Sequence, residues 1–328
     1  LEVYEIGSFL QFTDEWFGKR FFPNFSIRLD KNQYFKPRLT PRFSFVYATD
    51  DTNEKFIRVS AQTAFRFPSV VDQWTDLYVA PVYVVGGQSV LQDIYNLRNS
   101  NIYPLDGNNP VLSKPILTDL FEIPEFGPER VIAYEIGYKG LYSNKRMMID
   151  AYAFYNNYNG FLAAQLLAQN PGTADEKRFQ TTVSLEQPVN SYGWALGIDY
   201  NFKNNFNLST NVSYNDVDEV NDPGFQIQFN TPDYRFNLGV GNRKILKNLG
   251  FNINYRWQNS FLWESSFGVG EIPSINNLDA QINLFLPKYK TKMKLGCSNI
   301  LNKYYTTSFG SANVGALLYL TVIADNIL

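Results

Sequence analysis

Phe206-Asn207-Leu208-Ser209-Thr210-Asn211-Val212-Ser213-Tyr214-Asn215 is the stretch whose reading decides the fold. Phe206, Leu208, Val212 and Tyr214 alternate with Asn207, Ser209, Asn211, Ser213 and Asn215, and only Thr210 softens the apolar series. A period of two places the first set on one face of a strand and the second on the other. The pattern recurs downstream. Tyr234, Phe236, Leu238 and Val240 alternate with Arg235, Asn237, Gly239 and Gly241; Phe251, Ile253, Tyr255 and Trp257 alternate with Asn252, Asn254, Arg256 and Gln258. Long strands with one greasy and one wet face are the signature of a transmembrane β-barrel.

Working outward, the same pattern marks about 13 strands. They lie near 2–13, 19–31, 38–49, 55–66, 129–142, 146–158, 188–203, 206–216, 232–246, 249–263, 276–287, 291–300 and 315–325. Most exceed the five or six residues usual in soluble sheets, and tilted strands of about 9–11 residues span a bilayer core. Short links at Asp14–Gly18, Asp50–Glu54, Ser143–Lys145, Lys203–Asn205, Lys247–Asn248 and Pro287–Lys290 alternate with longer ones. The longer links are Asn32–Pro37, Phe67–Pro128, Asn159–Gln187, Val217–Thr231, Glu264–Ile275 and Leu301–Val314. Alternation of tight turns and long loops is expected of strands that cross a membrane back and forth, with the tight turns and the C-terminus in the periplasm. An antiparallel barrel closes on an even number, so an odd count leaves two readings. Either Phe161–Gln169 and Phe179–Leu185 form an extension hairpin that complicates the count, or the 328 residues are the C-terminal part of a larger barrel.

Composition removes several functions. No uninterrupted apolar run is long enough for a membrane-spanning helix. A net charge of −2 offers no broad basic surface for nucleic acid. With no histidine, Ser/His and Cys/His catalysis and His-ligated metal centres are excluded, and the lone Cys297 cannot build an intrachain disulfide or a cysteine-rich cluster. No catalytic residue, metal site or cofactor is therefore expected. Asp216, Asp218, Glu219 and Asp222 lack the spacing of a calcium loop and read as a solvated acidic segment.

Several segments resemble the barrel of TonB-dependent outer-membrane receptors, particularly the SusC-like Bacteroidetes branch. Phe65-Arg66-Phe67-Pro68-Ser69-Val70-Val71-Asp72-Gln73 is similar to that family's Phe-Arg-x-Pro segment. Pro128-Glu129 followed by Tyr134-Glu135-Ile136-Gly137-Tyr138-Lys139-Gly140 resembles the strand after its long loop. Asn277-Leu278-Asp279-Ala280-Gln281 and Ser298-Asn299-Ile300-Leu301-Asn302-Lys303-Tyr304-Tyr305 resemble its closing strands, and Gly310 to Tyr319 leads into the last. The resemblance implies a barrel of about 22 strands with an N-terminal plug in its lumen. It also implies energy from an inner-membrane TonB–ExbB–ExbD complex and, in the SusC-like branch, a SusD-like surface lipoprotein partner. This chain then supplies the C-terminal part of the wall without the plug, and its remaining partners are the N-terminal strands, the plug and outer-membrane lipids.

The implied activity is import of a bulky nutrient such as a glycan, peptide or metal chelate; the alternative is a barrel subunit that scaffolds surface lipoproteins or an assembly complex. Loop 67–128 is expected to contribute ligand contacts from Trp74, Tyr78, Tyr83, Tyr95 and Tyr103, with Asp72 and Arg98, because aromatic faces flanked by polar groups suit such ligands. The alternative for each ring is packing within the loop. Arg66, Arg235, Arg243 and Arg256 are expected to anchor loops or the plug. Trp16, Phe17, Phe21 and Phe22 at one end, and Trp257 and Trp263 at the other, are expected to form the two interfacial girdles.

Overall fold

The computed structural model describes residues 4–107, 109–218, 220, 223–265 and 268–324. In chain order it holds β1 (Glu5–Thr13), β2 (Phe21–Asn32), β3 (Arg38–Ala48), β4 (Lys55–Arg66), α1 (Val70–Trp74), β5 (Asp76–Val79) and β6 (Val82–Val85). There follow α2 (Ser89–Ile94), β7 (Ile102–Pro104), β8 (Glu129–Tyr142), β9 (Met147–Asn159), β10 (Leu162–Gln169), β11 (Lys177–Ser184) and β12 (Val189–Asn201). The chain continues through β13 (Phe206–Val217), β14 (Phe225–Gln226), β15 (Tyr234–Leu246), β16 (Leu249–Gln258), β17 (Phe261–Ser265) and β18 (Gly268–Ile272). It ends with β19 (Ile275–Leu286), β20 (Thr291–Ser298) and β21 (Leu317–Ala324).

Thirteen strands make one antiparallel sheet in the order β1-β2-β3-β4-β8-β9-β12-β13-β15-β16-β19-β20-β21. Each of the thirteen alternating segments in the sequence supplies one of these strands. The sheet is an up-and-down wall, so successive connections fall on opposite ends. Every short turn lies at one end, every long connection at the other, and β21 finishes at the short-turn end. Left-handed backbone at Gly18, Asn144 and Asn205 lets three of these turns reverse within a few residues. One strand is shorter than its sequence pattern: 249–263 breaks after Gln258, and Phe261–Ser265 instead pairs with Gly268–Ile272 in a separate hairpin.

Register puts like with like across the sheet. Leu208 faces Val240, Thr210 faces Leu238 and Val212 faces Phe236, while Ser209 faces Gly239 and Asn211 faces Asn237. On the polar face Asn237 donates to Asn211 at 2.8 Å, Arg256 donates to Asp279 at 2.7 Å and Tyr319 donates to Gln281 at 2.9 Å. The opposite face is apolar and open: Leu10 is 76% exposed, Ile136 58% and Leu320 62%. An aqueous protein does not present a continuous apolar face of this length, whereas a bilayer solvates it.

That assignment predicts a sharp asymmetry between neighbouring positions. In the full-length protein folded into lipid vesicles, Leu238→Arg destabilises by about 2–4 kcal/mol in denaturant titrations, whereas Asn254→Arg on the polar face changes stability little. Equal effects at both positions would refute the face assignment.

Candidate functional site

The buried apolar side chains gather mainly outside the wall. Val85, Leu91, Leu97, Ile102, Leu167 and Phe179 form a core at the long-connection end. The core itself comes from two connections, and a third joins the strands around it. Strands β5, β6 and β7 with both helices come from 67–128, β10 and β11 from 160–188, and β14 from 218–233. They join in a second sheet of order β14-β10-β11-β6-β5, with β7 pairing β10. The β10–β11 pair is the extension hairpin anticipated from Phe161–Gln169 and Phe179–Leu185, in antiparallel register from Leu162–Ser184 to Gln169–Lys177. These three connections thus form one folded cap over one end of the wall.

Buried glutamines stitch the three connections together. Gln180 donates to Gln226 at 2.9 Å, Gln165 to the Pro223 carbonyl at 3.1 Å, and Gln169 to the Tyr95 carbonyl at 3.0 Å. Each bond joins two different connections. Burying an amide is favourable only when it is hydrogen-bonded, so these contacts specify the assembly as well as tightening it. Gly86 serves the same compactness: a Cβ there would collide with the Gln73 carbonyl at the end of α1.

The expected ligand aromatics divide by position. Tyr83 stacks on Phe179 at 5.3 Å, Tyr95 meets Phe179 edge-on at 5.6 Å, and Trp74 packs against the same core. Tyr103, half-buried in β7, lies in register with Ala168. Tyr78 is 56% exposed and touches Tyr83. Three of the five rings therefore take up the packing alternative, and Tyr78 alone presents most of its surface to solvent.

The polar residues of this set also have local partners. Asp72 closes a capping box with Ser69 at the start of α1, accepting from the Ser69 amide at 2.8 Å. Arg98 donates to Gln92 at 2.9 Å. Tyr95 donates to Asp76 at 2.6 Å, and this hydrogen bond, followed by burial, pushes its phenol up to about 12.

At the base of the cap, Arg66 lies 3.3 Å from Glu129 on the adjacent strand, and Glu129 also accepts from the Leu162 amide at 3.2 Å. Phe67 stacks on Phe35 at 5.7 Å. The Phe-Arg-Phe-Pro segment thus ties the cap to the wall. A cleft of about 410 Å3 opens here between Arg66, Asp72, Glu129, Tyr158 and Phe229. A second, of about 490 Å3, is rimmed by Asp216, Asp218, Asp233 and Glu264 around Phe229 and Phe261. Asp216 accepts from Tyr214 at 2.9 Å and Asp218 from Asn190 at 2.6 Å; Glu219 and Asp222 lie outside the described residues.

Of the other arginines, Arg256 pairs with Asp279, Arg235 is exposed on the polar face, and Arg243 lines a cleft at the short-turn end. Among the girdle residues, Trp16 and Phe17 cluster with Phe21, which in turn packs on Phe45. Phe22 departs from its expected group: strand alternation turns it to the opposite face, beside Val46. Trp257 sits on the apolar face of β16 opposite Phe236, but Trp263 belongs to the β17–β18 hairpin beyond the wall and not to the sheet.

Sheet, cap and sidedness together define a segment of an outer-membrane-type barrel wall. Residues 2–313 match the family described as TonB dependent receptor-like, beta-barrel, and the chain belongs to that family. Similar solved structures include the siderophore receptor PirA from Acinetobacter baumannii, at 10% identity and TM-score 0.65. The FrpB iron transporter from Neisseria meningitidis follows at 15% and 0.64, and an enterobactin complex of a mutant ferric enterobactin receptor PfeA from Pseudomonas aeruginosa at 11% and 0.69. Each match covers 98% of this chain and 45% of the solved one, so the chain spans about half the length of these structures. No match is found among curated proteins.

Two measurements check the cap. Phe179→Ala costs about 3–5 kcal/mol of local stability, seen as faster hydrogen exchange across β6, β10 and β11 with the wall unchanged. The Tyr95–Asp76 bond contributes fully below about pH 10, the ordinary tyrosine value, and is lost as pH rises through about 12. Cap proteolysis therefore rises over that window in the native protein, and Tyr95→Phe removes that component of the rise.

Proposed function

We propose that this chain is the C-terminal part of the wall of an outer-membrane importer, and that its cap helps to hold a bulky nutrient above the lumen. The observation that carries the reading is the joining of three long connections into one cored cap with clefts against the wall, in a chain of the TonB-dependent receptor family. Glycan, peptide and metal chelate all suit aromatic and carboxylate-lined clefts. In this reading Tyr78, Asp72 and Arg66 face the ligand path, the short turns and the C-terminus are periplasmic, and a plug fills the lumen until the TonB–ExbB–ExbD complex displaces it.

Strand parity supports the larger barrel. Twelve antiparallel pairings separate β1 from β21, so the two free edges run in the same direction. Antiparallel closure then needs an odd number of further strands, and about nine complete a barrel of about 22.

A second reading has its own support. Leu112, Leu117 and Leu120 on the cap are 79%, 64% and 62% exposed, an apolar surface suited to a lipoprotein of the SusD-like kind. Uptake assays in cells making the full-length protein separate the two. Accumulation of one labelled class among oligosaccharides, peptides and ferric chelates, lost on deleting the protein or TonB, is the expected result. No uptake of any class, together with a lipoprotein complex weakened by Leu112→Ser and Leu117→Ser, would favour the scaffold.

A further inference from the structure

Each long connection touches the next one along the wall. Between β2 and β3, Phe35 stacks on Phe67 at 5.7 Å and Tyr34 meets Trp74 edge-on at 6.0 Å, both rings of the connection that follows. That connection pairs its β6 with β11 of the next, whose β10 pairs with β14 of the third. Asn230 then donates to the Glu264 carbonyl at 2.9 Å and accepts from the Glu264 amide at 2.8 Å, and Gly270 of the same hairpin lies against the Phe309 ring. The cap sheet keeps this order, β14-β10-β11-β6-β5, so β5 is its edge on the β1 side of the wall.

That edge is unfinished. The Thr75 carbonyl accepts from the Gly86 amide at 2.7 Å, which turns the backbone of Thr75, Leu77 and Val79 toward β6 and that of Asp76 and Tyr78 outward. Among the described residues β5 pairs with β6 alone. Across one face Leu167, Phe179, Tyr83 and Tyr78 lie in register, buried at Phe179 and exposed at Tyr78; on the other face Leu77 is exposed. Open edges are normally blunted by lysine, proline or an inward charge. β5 holds no lysine or proline, and its one charged residue, Asp76, is engaged by Tyr95. The opposite edge differs: Gln226 of β14 is buried and Phe225 packs on Phe121. β1 begins at this same end of the wall, where Tyr4 accepts from the Gln33 amide at 2.9 Å. The 33–37 link brings rings to α1 but is too short to supply a strand.

We propose, resting on the reading that this chain is the C-terminal part of a larger barrel, that the outer connection leading into β1 passes over the 33–37 link and adds a strand to β5. Its backbone takes up the outward amides and carbonyls of Asp76 and Tyr78. It carries apolar residues at two adjacent positions, one covering Leu77 and the other continuing the Tyr83–Tyr78 row, and no acid opposite Asp76. The cap is then a joint product of both parts of the barrel, whichever nutrient passes beneath it.

The test places the photocrosslinker p-benzoylphenylalanine at Leu77 of the full-length protein in its own outer membrane and maps the adduct by mass spectrometry. The expected partner is a residue preceding Leu1 in the same chain. Tyr78→Pro lowers the yield about fivefold or more, because it removes an outward amide and leaves the bonds to β6 in place, whereas Tyr78→Phe keeps the yield. In the unmutated protein the Asp76 and Tyr78 amides exchange hydrogen about 100-fold more slowly than solvent-facing amides, a readout that needs no variant to fold. The same crosslinker at Phe9, opposite Arg28 on the polar face of β1, tests the larger barrel separately and is also expected to capture a residue preceding Leu1. Capture from Phe9 with none from Leu77, a Leu77 adduct with another protein or within residues 4–324, or fast exchange at both amides would overturn the proposal and leave the larger barrel standing. No capture from Phe9 would overturn both.

Discussion

Lipid offers no hydrogen bonds, so every amide in a membrane wall must find its partner on a neighbouring strand. The rest of the molecule depends on that constraint. Thirteen strands between Glu5 and Ala324 each pair with the next, with one register irregularity between Asn242 and Leu246, and the chain leaves the ladder only at its two ends. Whatever is irregular has to occur there. Turns of a few residues serve one end, where connection is all that is required. The other end receives the cap, the second sheet and most of the buried core.

The cap obeys the opposite chemistry from the wall. Its apolar groups turn inward around Phe179, and buried amides carry hydrogen bonds from one connection to another. The wall's faces are sorted by solvent, grease outside and water inside, whereas the cap is held by a core and by Gln180, Gln165 and Gln169. Arg66 and Glu129 sit where the two regimes meet: the strand pair ends, and the carboxylate takes both a guanidinium and the first amide of the β10 strand.

This contrast explains what could be read in the sequence. The wall was legible strand by strand because a period of two survives in any stretch that separates lipid from water, as in Leu208 to Tyr214. The cap was not, apart from its hairpin. Its strands are short, β6 joins β11 in parallel, and β14 is two residues long, so no alternation announces them. The buried glutamines look like loop residues until their partners, 46 and 58 positions away, are known. Trp74, Tyr83 and Tyr95 showed the aromatic richness of a binding loop, but rings also build a core, and sequence does not say which side of a ring meets a neighbour. Trp263 reads as part of the wall because hydrophobicity continues past Gln258, although β16 ends there and a separate strand begins at Phe261.

The joint construction of the cap has a consequence for how such proteins diversify. Connections that fold separately can be exchanged one at a time, each carrying its own preference to a new host. Here Leu166 lends its amide to Gly224 and its carbonyl to Leu105, so a single residue bridges all three connections. Grafting one of them into another barrel would leave half of each contact behind. Moving the cap onto another wall therefore means moving all three connections together.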